Sequence, residues 1–529
     1  MDLKKGGISV TGGEIFVECL KAQGVKTIFG MPGGHLNPVY ESLYESREQI
    51  SHYVVRHEGG AAFMADGYAR STGDIGVCLT IPGPGSTNAS TGLGEAYTAN
   101  SPVLLVTGQN SSHLDQKDPS KSFHGLDQKT FLSPITKHIE IVKTVDQIPG
   151  AVNRTFGAMR SGRPKPALIE LATDALTAEA DLAIPIRNNG LQPVADAGSL
   201  EKALDLIQQS KRPFILAGSG VNHSRASTEL EQLAKLLNAP VATTAMGKGC
   251  ISEDSPFALG VFRSAVTRKA IEHSDLIIAL GTRFVYRETG NWTMKIKQPL
   301  LQVDADPTEI SKEYTAQVGI CADVQICLKQ LNQGLHDQPR QDGWGKRTNQ
   351  LRQQFESNGR PQLIEDLRET MPRDAILAVD VHVDGYSALP HFWVYHPGTF
   401  IYSPISVSMG LALPSAIGAQ IAYPDRKVVA IAGDGGFLMT SPDLATAVKY
   451  NLPIVIIVVN DNKLTSIEGG QLKQFGATLG INLLNPDFVK FAESFGAIGF
   501  RVEGLSNFQS TLEKALDMKK TSLIEVVKQ

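Results

Sequence analysis

The longest apolar run in the chain, Leu452 to Val459, is broken only by Pro453 and stops at Asn460-Asp461-Asn462. It falls well short of the ~20 apolar residues that a bilayer span requires. Its Ile and Val residues instead suit a strand buried on both faces, the signature of a parallel sheet covered by crossover helices. Similar runs at Ala375–Asp380, Val428–Ala432 and Ser522–Val527 read the same way.

The pattern is not confined to one region. Thr27–Gly30, Gly76–Ile81, Val103–Gly108 and Ala167–Leu171 read as strands, with helical patterns at Glu14–Gln23, Gly59–Thr72 and Asn88–Ala99. Pro213–Ala217, Pro240–Thr244, Leu276–Gly281 and Leu301–Asp304 repeat the strand pattern. Polar segments at Thr177–Gly198 and Asn332–Gly345 read as linkers. The expectation is an α/β chain of three successive doubly wound parallel-sheet domains, at 1–176, 190–335 and 350–529, with blocks of a size that suggests duplication.

Composition excludes several alternatives. The net charge is −4, from 50 basic and 54 acidic residues, so nothing favours nucleic acid or an anionic membrane as partner. Lys4 and Lys5 are followed by no apolar stretch, so no secretory leader is expected and a cytoplasmic location is. The five scattered cysteines point to reduced, buried thiols. Gly218-Ser219-Gly220 follows a strand, but His223 stands where a dinucleotide fingerprint needs its third glycine.

The chemistry concentrates at two strand ends. Lys427–Ala432 leads into Gly433-Asp434-Gly435-Gly436, and the next strand leads into Asn460-Asp461-Asn462, with room between them for a helix near Asp443–Tyr450. Glycines let the backbone approach an anion, and a carboxylate there supplies the hard oxygen that Mg²⁺ shared with a phosphate requires. A lone G-D-G is more often a turn. Two neighbouring parallel strands presenting Asp434 and Asp461 at one edge could instead clamp a diphosphate through one divalent cation.

These residues resemble the thiamine diphosphate enzymes, most closely the acetolactate synthase-like branch, whose signature is G-D-G, some two dozen residues, then N-N or N-D. The resemblance extends over nearly the whole chain, through Phe29–Gly34, Arg56-His57-Glu58, Ala65–Arg70, Gly83-Pro84-Gly85, Thr136-Lys137-His138, Ser408-Met409-Gly410 and Asn485–Phe488. It implies pyrimidine-binding, middle and diphosphate-binding domains in that order. It also implies Mg²⁺ held by Asp434, Asp461 and the backbone carbonyl of Lys463. Cofactor contacts would come from Gly433, Gly435, Gly436 and Gly385, with His382 an alternative to Gly385. Met409 would hold the cofactor bent, although simple core packing explains a methionine equally well.

Glu58 matches the carboxyl that the family sets beside the pyrimidine N1′ to generate the C2 carbanion; its bland alternative is a solvent-facing helix cap paired with Arg56 or His57. In the family the pyrimidine and diphosphate sites of one active centre come from different subunits. A homodimer or homotetramer with the active site at the subunit interface is therefore expected.

The family's reaction starts at a carbonyl, usually that of a 2-oxo acid, and releases CO₂; the remainder is protonated or joined to a second carbonyl. The chain departs from biosynthetic acetolactate synthase at three places. His124 stands for a pocket Gln, Lys463–Gly470 lacks the Trp that selects the second oxo acid, and Leu259–Ser264 is shorter than the segment that helps hold FAD. The last argues against FAD, although Arg283-Phe284, Arg287 and Thr289-Gly290 still resemble that middle domain. His35 falls where benzaldehyde lyase-like members carry an active-site His, and with His124 it is a candidate for proton transfer. The expected function is decarboxylation of a 2-oxo acid with carboligation to a second 2-oxo acid or aldehyde. An acyloin lyase or simple decarboxylase is the alternative, and a non-catalytic paralogue a third.

Overall fold

The computed structural model describes residues 10–114, 117–335, 343–357 and 359–528. The central part of the second predicted linker, 336–342, lies outside the described residues. The chain forms two compact units, one of residues 1–191, 417–422 and 440–451, the other of 192–416, 423–439 and 452–529.

The first unit is built on a six-stranded parallel sheet. Its spatial order is Ser51–Val54, Thr27–Gly30, Gly76–Thr80, Val103–Gln109, Ala167–Ala172, His138–Val142. Helices cover both faces. Gly12–Ala22 and Ile148–Arg160 pack Phe16, Leu20, Val152 and Phe156 against Leu104, Val106 and Ile169, all fully buried. Each such side chain contributes about 1.5–3 kcal/mol of burial. The first helix begins where Thr11 and Glu14 form a reciprocal capping box. The first predicted linker also holds a short strand, Glu179–Ala180, antiparallel to Val10–Thr11.

The edge strand Ser51–Val54 has one side without a sheet neighbour, and the excursion at 440–451 satisfies it. The Val54 amide donates to the Tyr450 hydroxyl at 2.9 Å, and Thr446 Oγ1 donates to the Val54 carbonyl at 3.1 Å. The helix expected near Asp443–Tyr450 is a 3₁₀ turn at Ser441–Asp443 running into a helix at Leu444–Lys449. Pro442, without an N–H, sits at the start of that turn, where the missing donor costs nothing.

The second unit carries two more six-stranded parallel sheets. One runs Ala258–Val261, Val241–Thr243, Pro213–Ala217, Leu276–Leu280, Leu300–Asp304, Val318–Cys321. The other runs Phe400–Tyr402, Ile376–Val379, Val428–Gly433, Ile454–Asn460, Ser522–Val527, Ile498–Glu503. Numbered by chain order within each sheet, the first and third share the order 2-1-3-4-6-5, whereas the middle sheet is 3-2-1-4-5-6. The outer pair thus share one winding, as the expected duplication would give, and the middle sheet has its own. Gly218, in the suspected fingerprint, is a packing residue: a Cβ there would lie 2.3 Å from the Gly281 carbonyl oxygen.

All five cysteines are unpaired, four of them buried. Burial pushes the Cys19 and Cys327 thiols up to about 12. Among the described residues no helix is long and apolar enough to cross a membrane.

Candidate active site

In an open parallel sheet, ligands bind beyond the carboxyl ends of the strands where the winding reverses. In the third sheet that point lies between Ile376–Val379 and Val428–Gly433. A cavity of about 110 Å³ opens there, walled by His382, Asp384, Met409, Gly433, Asp434, Gly435, Gly436, Asp461 and Lys463 among others. The structure thus brings together every residue expected to hold metal and diphosphate except Gly385. That glycine is buried in the neighbouring helix, packed on the Asp380 carbonyl, while His382, Asp384 and Tyr386 line the cavity.

Asp434 is 3% exposed. Its Oδ1 accepts from the Gly435 amide at 2.8 Å, and its Oδ2 from the Asn462 amide at 2.8 Å and Asn485 Nδ2 at 2.6 Å. Burial raises its pKa above the usual carboxylate range against these donors, and the Asp461 charge adds to the rise. Asp461 is fixed by the Lys463 amide at 3.2 Å and by the Thr465 hydroxyl. The Lys463 ammonium pairs with Glu468 at 2.8 Å. Two like charges facing one cavity are relieved by a divalent cation between them. No group of three or more His, Cys, Asp or Glu side chains able to hold a metal occurs among the described residues. A cation here would fill its shell with backbone and ligand oxygens, as Mg²⁺ on a diphosphate does.

Two donors and acceptors in this region are buried without partners: His382 Nε2 and Asn485 Oδ1. The other ring nitrogen of His382 lies 3.7 Å from Asp384 Oδ2. Burial raises the Asp384 pKa, but His382 and Lys528, whose Nζ is 2.7 Å away, outweigh it and hold the carboxyl down at about 2. His382 lines the cavity, and its Nε2 is left as an unsatisfied nitrogen able to pair with an anion.

Sequence reasoning missed Asp380. It is fully buried, and its carboxylate accepts from the amides of Val381 at 2.7 Å, Gly410 at 3.0 Å and Ala412 at 3.0 Å. It therefore fixes the loop that carries Met409 against the cavity. In that loop Val407 adopts φ +54°, a conformation that a β-branched residue rarely takes. A Cβ at Gly436 would sit 2.8 Å from Asp380 Oδ1, which is why this position is glycine.

In the first unit, Glu58 opens the Glu58–Thr72 helix at the carboxyl end of the sheet and is 4% exposed. Its Oε2 accepts from Asn88 Nδ2 at 2.9 Å, so its partner is neither Arg56 nor His57. His57 is the helix cap, its Nδ1 taking the Gly59 amide at 3.1 Å. Asn88 carries no sequence signal of its own, since the contact spans two helices.

His35 and His124 do meet, with ring centroids 5.5 Å apart, and Phe123 stacks on both. His35 Nε2 lies 3.1 Å from Asn110 Oδ1, while Asn110 Nδ2 donates to the Phe123 carbonyl at 3.0 Å. His124 has φ +53°, and its Nδ1 is buried without a partner. Gly83, itself at φ +63°, lets this loop approach: a Cβ there would be 2.7 Å from the His124 carbonyl.

Comparison with known families assigns the chain's three domains. Residues 10–131 match the thiamine pyrophosphate enzyme N-terminal TPP binding domain, 200–331 the central domain, and 385–526 the C-terminal TPP binding domain. The chain is 35% identical to a probable acetolactate synthase large subunit of Methanocaldococcus jannaschii, over 98% of this chain and 91% of that protein. It is 32% identical to the acetolactate synthase isozyme 2 large subunit of Escherichia coli, over 98% and 95%. A Haemophilus influenzae acetolactate synthase large subunit is 31% identical, over 96% and 93%. The chain is a thiamine diphosphate-dependent enzyme and belongs to the acetolactate synthase large-subunit family.

Proposed function

We propose that this enzyme decarboxylates a 2-oxo acid and joins the remaining acyl group to a second carbonyl, giving an acetolactate-like or acyloin product. The observation that carries the reading is the cavity at the third sheet's winding reversal, where Asp434 and Asp461 face one space beside the unpartnered His382 Nε2. This donor set fits a magnesium diphosphate. Asp434, Asp461 and the Lys463 carbonyl would hold Mg²⁺. The backbone at Gly433, Gly435 and Gly436, with His382 Nε2, would take the phosphate oxygens, and Gly385 supports that loop from behind.

Bound thiamine diphosphate supplies a nucleophilic carbon and a sink for the electrons that CO₂ leaves behind. The chain's own residues do the rest. Met409 offers an apolar wall, kept in place by Asp380. Glu58, restrained by Asn88, holds a proton at the pyrimidine N1′ side. His35 and His124 move protons to and from the substrate oxygens. The net conversion is redox-neutral, so it needs no flavin, in line with the shortened Leu259–Ser264 segment.

Glu58 and Asp434 of different subunits would complete one active site. The segment that follows the cavity supports a covering partner: Ile467, Leu472, Phe475, Leu479 and Leu484 are all exposed. A cytoplasmic homo-oligomer acting on small 2-oxo acids or aldehydes follows.

Pyruvate with thiamine diphosphate and Mg²⁺ tests the reading, with CO₂ and a ligated product expected. No CO₂ from any of a panel of 2-oxo acids refutes it. The missing Trp in the exposed helix Thr465–Phe475 favours one second reading, an acyloin lyase or simple decarboxylase. Aldehyde as the sole organic product would establish that instead.

A further inference from the structure

A second cavity, of about 260 Å³, opens in the first unit over the carboxyl ends of Val103–Gln109, Ala167–Ala172 and His138–Val142, beyond the sheet's winding reversal. Its volume is several times that of one water molecule. One wall is Glu170, in the middle of an otherwise apolar strand and paired in register with Thr107 and Ile141. Glu170 is 2% exposed, and its Oε1 has no hydrogen-bond partner. Burying a carboxyl in a strand centre costs stability unless something uses it.

Gln128 does not fully satisfy it. That buried amide accepts from Thr107 Oγ1 at 3.1 Å and donates to the Gly108 carbonyl at 3.1 Å. Burial, and then the Asp127 charge, push the Glu170 pKa up to about 7 against Gln128 and Lys129. The acid is therefore half protonated near neutrality and presents an O–H as well as an acceptor. The remaining charged or titratable residues lining the cavity are Lys117, Lys143 and His124, the last with its unpartnered Nδ1. Cations at the wall, a carboxylic acid able to donate and a free imidazole nitrogen together describe a receptor for an anion that accepts hydrogen bonds through two oxygens.

We propose that this chamber binds a small carboxylate anion, with Glu170 as the hydrogen-bond donor and Lys129 as a counter-charge. The site shares no lining residue with the cavity at Asp434 and does not depend on the carboligation reading. Because His124 lines it and stacks on His35, an occupant would sit beside the candidate proton-transfer pair.

The test is isothermal titration of the cofactor-loaded protein with D-lactate, a hydroxy acid without the 2-oxo carbonyl that thiamine attacks. Titrations in two buffers of different ionisation enthalpy, at about pH 7.5, read proton uptake. One D-lactate should bind per chain with uptake of part of a proton, because the anion favours protonated Glu170. Glu170→Leu should weaken binding ~10-fold or more. Glu170→Gln should bind without proton uptake, a signature that a purely structural role would not move. Lys129→Gln, at an exposed side chain, should weaken binding ~3-fold and carries the test if Glu170→Leu fails to fold. The proposal is overturned if D-lactate and acetate do not bind, if inorganic phosphate alone binds, or if Lys129→Gln and the Glu170 variants bind as the wild type does.

Discussion

Replacing Asp434 by Asn is expected to separate folding from cofactor binding. In the ligand-free protein the substitution keeps one oxygen, which can still accept from the Asn462 amide and Asn485 Nδ2. The new amide group would face the Gly435 amide, forfeiting one bond to a charged acceptor of about 1.5–3 kcal/mol. Against this stands the release of a buried carboxylate that desolvation and Asp461 both disfavour. The two terms oppose each other, so the ligand-free variant should unfold within ~1 kcal/mol of the wild type. Binding behaves differently. A ligand at about 100 times its dissociation constant stabilises the native state by ~2.7 kcal/mol, or roughly 5–10 °C for a domain of this size. Asp434→Asn, with one metal ligand gone, should lose nearly all of that shift. Scanning fluorimetry with and without thiamine diphosphate and Mg²⁺ reads both numbers. If the variant keeps more than half of the wild-type shift, or if chelating Mg²⁺ leaves that shift intact, the assignment of Asp434 and its cavity is wrong.

Glu58→Gln should keep its hydrogen bond with Asn88 and its fold yet lower kcat for CO₂ release by ~10²–10⁴, read by a coupled decarboxylation assay with circular dichroism as the folding control. Gly436→Ala pushes a Cβ onto Asp380, which holds the Met409 loop; a loss of ~1–3 kcal/mol in stability together with weaker cofactor binding is expected, measured by thermal shift. Glu170 has its carboxyl pKa raised from 4.5 to about 7, so the stability it contributes is complete below pH 4.5 and is lost as the pH rises through 7. Glu170→Gln should therefore flatten the fall in melting temperature across that window. It should not abolish the fall, because burial raises Asp443 to about 7 with the same sign.

The strands that could be read from sequence and those that could not fall into a regular pattern. Most inner strands, such as Ile454–Asn460 and Leu276–Leu280, carry continuous apolar runs because helices cover both faces. Most of the strands left unassigned, His138–Val142, Ala258–Val261, Val318–Cys321, Phe400–Tyr402 and Ile498–Glu503, are edge strands. Ile498–Glu503 shows why: its Arg501 and Glu503 are exposed, so the apolar signal is interrupted. The sixth edge strand, Ser51–Val54, pairs within the sheet only with Thr27–Gly30.

By itself the sequence determined the α/β class and the placing of Asp434 and Asp461 at the ends of two neighbouring strands, because those depend on local runs and on fixed spacing along adjacent strands. It also carried His35, His124 and Glu58, but only through resemblance to a family. Tertiary structure alone decided which groups hold them: Asn88 on Glu58, Asn110 and Phe123 on His35, Asp380 beneath Met409, Asn485 across Asp434. These partners lie 29 to 88 residues apart along the chain. The physical reason is that a hydrogen bond between distant segments depends on sheet winding and loop approach, which leave no periodicity in the residues that make it.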